Sequence, residues 1–456
     1  MFKVLKVVSG GLLLAACGCG VGGDVDEPIT ESTSALAAAG NKYGTAETFH
    51  TSGAIDLTNP FFQALGTNPR TCMTCHSPDQ GWTDNADAIK DLFKASDGLD
   101  PIFNLVDQGV RPDADISTKR ARKDTFAPSV KLAVTRFTRT IPATAEFTVT
   151  AVSDPSGFST TTSFLNFRRP TPTANESKVS SVLNTSGPTQ DIGAQLASLM
   201  NGAAGLHEQR DVTNNPVPTD VRNAGRDFMF GVFFAQISDN AAGRLDAGGA
   251  LGGPTNLSTF PFTLGMNDPA QPGFNPKVFN IFDAWETYAV NARHGDCQAD
   301  ARAAIYRGQE VFNFNQFQIS GVNGFNDVLG QATVTGTCST CHNVPNVGGH
   351  SVIRMMDIGT SDPQNADPLL PLVTVQNKTT GETRTLSDLG RGLSGRWVDL
   401  GGFRVPPLRG LAAQAPYFHD GQAKTIKDAI KYHEQRFNID LSHGRRADLE
   451  AFLGAL

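Results

Sequence analysis

The spacing of apolar residues changes several times along the chain, and each change predicts an element. "MFKVLKVVSGGLLLAACGCG" sets Lys3 and Lys6 before an apolar stretch that reaches Ala16 and meets Cys17. This is the pattern of a secretory signal, too short to span a bilayer. Residues 18–40 are small, acidic and without period, as in a flexible tether, and globular sequence starts near Tyr43. "TRTIPATAEFTVTAVSD" alternates polar with β-branched or aromatic residues and predicts a small strand pair inserted into a helical domain. In "DIGAQLASLMNGAAGLHEQ" a helical stripe carries Ile192, Leu196, Leu199, Ala203 and His207, with Gly202 and Gly205 as weak points. "DARAAIYRGQEVFNF" places Ala304, Ile305, Val311 and Phe312 at near-helical spacing. Near the C-terminus Thr425 and Asp428 form a capping box, starting a helix whose apolar face holds Ile426, Ala429, Ile430 and Phe437. His433 shares that face; Tyr432 points away. The Gly/Pro-rich runs "DNAAGRLDAGGALGGPTNL" and "MNDPAQPGFNPK" have no period and read as connections.

Composition narrows the partners. With 39% hydrophobic residues in 456, there is apolar material for two or more domains. A net charge of −7 argues against nucleic acid and against an anionic membrane surface, and would weakly steer a cationic redox partner. Seven cysteines are too few for a disulfide framework in this length. Because Leu14, Ala15 and Ala16 lead into Cys17, the signal also resembles that of a bacterial lipoprotein, in which this cysteine is acylated and becomes the mature N-terminus. An ordinary cleaved signal is the alternative; both predict export.

Four of the remaining cysteines form a repeat. "TCMTCHSPDQGW" and "GTCSTCHNVPNVGGH" each set two cysteines three apart with a histidine directly behind the second. A redox dithiol, half a zinc site and a covalent c-type haem all use such a pair. Two copies roughly 260 residues apart, each with its histidine fixed against the second sulfur, suit haem c, which needs two thiols and an imidazole beneath the iron. Cys72, Cys75, Cys338 and Cys341 are thus the covalent attachments of two haems, and His76 and His342 their axial ligands. The duplication predicts two haem domains, residues 41–291 with the small β insertion and residues 298–456, behind the signal at 1–17 and the tether at 18–40; Arg307-Gly308 followed by Phe312 resembles the first helix of a cytochrome c domain, a resemblance that implies a mainly α fold of two cytochrome c-type domains. Opposite the second iron, His433 is the candidate ligand, a satisfied core histidine being the alternative. Opposite the first, His207 or Glu208 serves as distal or acid/base residue, against a surface histidine at a frayed helix end.

At this point the residues carry a resemblance. "FRVPPLRGLAAQAPYFHDGQAKTIKDAIKYH" is similar to the C-terminal signature of bacterial di-haem cytochrome c peroxidases and of their relative that matures the tryptophan-derived quinone of methylamine dehydrogenase. "LGTNPRTCMTCHSPDQGW", "FRRPTPTAN" and "SGVNGFNDV…GTCSTCHNVPNVGGHS" resemble a lipoprotein-type branch of that family. The resemblance implies one electron-transfer haem and one reactive haem, a calcium ion at the domain interface with no ligands assignable here, and Arg409 and His419 as supports behind the iron ligands. Counting fourteen residues past His419, where the family supplies methionine or tyrosine to the C-terminal iron, lands on His433; a bis-histidine haem would lack the potential-raising methionine. The family's relay tryptophan is also missing, since "SSVLNTSG" puts Asn184 in its place, unless Trp82, Trp285 or Trp397 substitutes.

Two classes of function follow. As an enzyme, the protein would reduce hydrogen peroxide at one haem with electrons from a small periplasmic donor protein. As a carrier, both irons would be six-coordinate and would only pass electrons. Oxygen cleavage of a hydrophobic polymer, as in distantly related di-haem oxygenases, is a third class that rests on analogy. Gly18 after Cys17 directs the lipid anchor toward the periplasmic side of the outer membrane, by resemblance to lipoprotein sorting; the anchor would be the only membrane contact.

Overall fold

A computed structural model describes residues 38–182, 191–290 and 296–456. The signal, the tether, Cys17 and Asn184 lie outside the described residues. Three of the predicted helices are present with their caps. Asp296 accepts from the backbone N–H of Gln298 and Ala299 to start Cys297–Phe314. Thr425 and Asp428 satisfy each other's backbone at 3.0 and 3.1 Å ahead of Ile426–Phe437, which buries Ile426, Ile430 and Phe437. Asp191 caps Ile192–Leu206 through the N–H of Ala194 at 2.8 Å. That helix runs through Gly202 and Gly205 unbroken, but its fully buried line is Leu196, Met200 and Ala204, one position round from the expected stripe.

The C-terminal core forms where Cys297–Phe314 packs along His443–Gly454. Gly308 makes this crossing close, since a Cβ there would lie 2.0 Å from the carbonyl of Asp448. Arg307 then donates twice to the Asp448 carboxylate, at 2.8 Å each. Phe279, Phe282, Phe312 and Phe452 interlock around the same crossing.

The expectation of a mainly α fold of two cytochrome c domains is corrected. Helices take 35% of the structure and strands 17%, in five small sheets. The largest sheet orders Ala38–Asn41, Gly44–His50, Val232–Asp239 and Gly243–Arg244, all antiparallel. Its central strand, "VFFAQISD", buries six consecutive residues, so it has no alternation and reads ambiguously as helix or strand. The strands of the insertion exist, but they do not pair with each other. Thr135–Arg139 pairs with Phe164–Arg168, whereas Phe147–Ser153 pairs with Leu372–Asn377, which in turn pairs with Thr383–Leu386. Alternation fixes which face a strand buries, here Phe147 against Val373, Val375 and Leu386, and says nothing of its partner. This sheet and the carbonyl of Leu456, which accepts from Gln236 and Gly410, join the N-terminal to the C-terminal part of the chain. Among the described residues no helix is long and apolar enough to cross a membrane.

Candidate functional site

Both Cys-x-x-Cys-His copies adopt one local geometry. A threonine precedes each pair and its backbone N–H donates to the threonine just before the second cysteine, Thr71 to Thr74 at 3.0 Å and Thr337 to Thr340 at 2.9 Å. The histidine N–H returns to the first cysteine's carbonyl at 3.0 Å in both. Each histidine then sets Nδ1 against a carbonyl six residues on: His76 to Trp82 at 3.1 Å, His342 to Gly348 at 2.6 Å. This carbonyl fixes Nδ1 as the protonated nitrogen and leaves the Nε2 lone pair for a metal. Burial pushes both imidazoles down to about 4, so they are neutral bases at neutral pH.

The thiols are unpaired. Burial holds Cys72, Cys338 and Cys341 up at about 12 and Cys75 well above the ordinary thiol range. Among the described residues no three His, Cys, Asp or Glu side chains converge as a metal cage. Four unpaired, half-buried thiols beside two neutral imidazoles fit a planar apolar group bonded through sulfur and ligated through nitrogen, as haem c is.

The second copy opens on a cavity of about 320 Å³, within the roughly 300–1,000 Å³ of pre-formed ligand sites. Cys338, Cys341 and His342 line it, together with His433 from the helix Ile426–Phe437. The Nδ1 of His433 lies 2.8 Å from the carbonyl of Ala429, again leaving Nε2 available, and burial lowers its pKa. Phe418 and Phe437 flank the ring at 5.9 and 6.3 Å. His342 and His433 are close enough for each charge to oppose the other. Tyr432 turns away, donating its hydroxyl to the carbonyl of Ile358. Arg409 and His419 line the same cavity. Arg409 spends its guanidinium on the carbonyls of Leu456, Asn346 and Gly253, and burial lowers it to about 9. His419 stacks on Phe403 at 4.1 Å, with Nε2 3.4 Å from the Ser361 hydroxyl.

The first copy is built from charge. Asp107, fully buried, accepts from Arg70 Nη1 at 2.9 Å and holds His207 Nδ1 at 2.6 Å. Arg70 Nη2 reaches Cys75 Sγ at 3.5 Å. His207 caps the end of Ile192–Leu206 and lies near enough to His76 to depress its pKa further, with its Nε2 outside the Asp107 contact. Its side chain is 34% exposed. Glu208 is buried beside Cys72, and its Oε2 accepts from the backbone of Leu65 and Gly66 at 2.5 and 3.0 Å; burial raises this carboxyl. The sequence reading missed Arg70 and Asp107. Arg70 stands two residues before Cys72 and could have been suspected from that, but nothing in "LVDQGV" distinguishes Asp107.

Of the three tryptophans, only Trp82 contacts a haem motif. Its ring is fully buried with Nε1 on Thr48 at 2.9 Å, while its carbonyl accepts from both His76 Nδ1 and the N–H of Thr173 at 3.0 Å. The residues around Thr173, Pro170–Pro172 and Ala174–Glu176, line the second cavity. Trp285 stacks on Phe282 in the C-terminal core, and Trp397 packs on Phe147 in the small sheet.

No family model matches the chain. Over 143 residues, 31% of the chain, it is 28% identical to the cytochrome c551 peroxidase of Nitrosomonas europaea. The match spans about a third of that relative's length, 34%. With the duplicated motif, this distant likeness supports a haem c protein related to the cytochrome c peroxidases.

Proposed function

We propose that the protein is an exported, lipid-anchored di-haem oxidoreductase of peroxidase type, reducing hydrogen peroxide with electrons from a small periplasmic donor protein. The reading rests on one observation above others: two Thr-Cys-x-Thr-Cys-His segments with the same hydrogen bonds, each facing a second imidazole whose Nε2 is available. Cys72 and Cys75 would anchor one haem with His76 beneath it, Cys338 and Cys341 the other with His342. When bound, haem supplies one-electron chemistry that no side chain here can. The chain does the rest. Asp107 holds His207 over the first site, where partial exposure leaves a path for peroxide and where His207, with Glu208 behind it, handles protons. Phe418, Phe437 and the helix face around His433 keep water from the second site, which would store and relay the electron. The Trp82 carbonyl joins the His76 imidazole to the wall of the second cavity and is the connection proposed in place of the missing relay at Asn184. Each turnover needs two electrons and two protons to convert peroxide to two waters.

A second reading has its own support. Because each proximal histidine faces another, both irons could be fully ligated, and the protein would be an electron carrier. Intact mass of protein matured in a c-type cytochrome host separates haem from any other occupant: two haem additions are expected, and zinc in place of haem would end both readings. Stopped-flow mixing of the reduced protein with peroxide then divides them, since oxidation of neither haem leaves only the carrier.

A further inference from the structure

The chain enters the wall of the second cavity through Asn175, held at φ 64°. Its side chain clamps the strand Val232–Asp239, donating to the carbonyl of Phe234 at 2.9 Å and accepting that residue's N–H at 3.0 Å, while its own N–H bonds the carbonyl of Val232. The clamp fixes the next residue. Glu176 opens the turn Glu176–Lys178, is 2% exposed and lines the cavity, and its Oε2 is buried with no hydrogen-bond partner among the described residues. Asp107 and Asp388, equally buried, are compensated, Asp107 by Arg70 and His207 and Asp388 by Arg168 at 2.5 and 2.7 Å, whereas Asp84 and Asp420 also bury an unpartnered oxygen but do not line the cavity. Glu176 has no such partner in contact. The charge that acts on it is Arg404, which donates to the carbonyl of Ser181 at 2.7 Å. An ionised carboxylate in an apolar wall is costly unless hydrogen-bonded, and burial raises this one to about 7.

We propose that Glu176 takes up the proton that accompanies an electron stored in the second cavity, so that electron transfer there is coupled to proton transfer. The proposal rests on the reading that Cys338, Cys341 and His342 hold a haem at this site. One electron from the donor protein and one proton from solvent enter together; the products are the reduced couple and a neutral carboxylic acid. When the electron moves on, the proton is released, and two such cycles match the two electrons and two protons of one peroxide. The cause is electrostatic. An added negative charge in a low-dielectric cavity strengthens proton binding at an uncompensated carboxylate nearby, and linkage requires the converse, that deprotonating Glu176 disfavours reduction.

Other titratable or charged groups line the same cavity. Arg168 is spent on Asp388 and Glu434 on Arg446, whose three contacts lie at 2.8 to 3.0 Å. Arg169 and Arg409, lowered by burial to about 10 and about 9, keep their charge at neutral pH. Apart from the iron ligand His433, His419 remains as a competitor of Glu176. Spectroelectrochemical titration of the holoprotein at pH values on both sides of neutral tests the assignment. The midpoint potential of one haem is expected to fall as pH rises through neutrality, and Glu176→Gln is expected to lose that dependence with haem content unchanged. A slope that survives Glu176→Gln assigns the proton to another group, His419 first, and overturns the proposal; so does a flat wild-type potential. If Glu176→Gln does not fold, the reduced-minus-oxidised infrared spectrum of the unmodified protein decides, by presence or absence of a protonated-carboxyl C=O band that appears on reduction. Mass analysis without haem on Cys338 and Cys341 overturns the underlying reading together with the proposal, whereas a haem with a pH-independent potential overturns the proposal alone.

Discussion

In the first site the imidazole facing His76 is held by a buried carboxylate; in the second the one facing His342 is held by the apolar face of a capped helix. The motif segments beneath them are nearly superimposable in their hydrogen bonds, so the difference lies in what the rest of the chain brings over each iron position. An Asp107–His207 contact holds a partly exposed imidazole in place. A helix face that buries Ile426, Ile430 and Phe437 sets His433 among apolar neighbours. On the proposed reading, the same local motif would serve exchange chemistry in one place and electron storage in another, according to what the rest of the chain places over it.

The comparison breaks most visibly at the distal histidines. His433→Gly should turn one haem from low-spin to high-spin and let it bind carbon monoxide when reduced; on the peroxidase reading His207→Gly should leave the other haem's spin state unchanged and slow its oxidation by peroxide, whereas on the carrier reading it should turn that haem high-spin. Tyr432→Phe should change neither spectrum; if it acts while His433→Gly does not, the assignment of the helix face is wrong. Next comes the ionic support. Asp107→Asn strands the buried Arg70 guanidinium and should cost about 3–5 kcal/mol, read by denaturant unfolding, with the first haem's spectrum disturbed before the second's.

Acid should sharpen the contrast from the other side. His350 beside the second motif is buried, with Nδ1 on the Cys341 carbonyl and Nε2 unpartnered, and burial pushes its pKa down to about 4. Its folded pKa lies below the unfolded value of about 6.5, so between these values the unfolded chain binds more protons and stability falls as pH falls, by about 3 kcal/mol at most. His350→Gln should make the melting temperature less dependent on pH in that window; an unchanged acid limb would refute the assignment. The smallest effects should be equal. Thr74→Val and Thr340→Val each remove one cap and should cost about 1 kcal/mol apiece in thermal unfolding, because this part of the two sites is the same.

Legibility followed sequence distance. The capping box at Thr425 and both motif turns are contacts within a few residues, and each was readable; the helical spacing inside Cys297–Phe314 was also readable, but its start at the Asp296 cap was not. The phase of His433 was readable too, because Ile426 and Ile430 mark the same face one and two turns away. Strand partners were not. Phe147–Ser153 announces a buried face, yet its neighbour Leu372–Asn377 comes from over 200 residues later. Val232–Asp239, buried on both faces, erases the alternation that would have warned of a central strand and of a fold far less helical than expected.

By itself the sequence determined the pieces whose geometry is local: two thiol pairs one turn apart, an imidazole fixed behind each, and a capped helix presenting a third imidazole from its apolar side. Only the tertiary structure decided that Asp107 would meet His207 across 100 residues, that Trp82 would bridge one motif to the wall of the other, and that Glu176 would be buried without a partner. Local hydrogen bonds depend on spacing, which a sequence displays. A buried charge depends on which distant surfaces close over it, and that is settled only when the whole core packs.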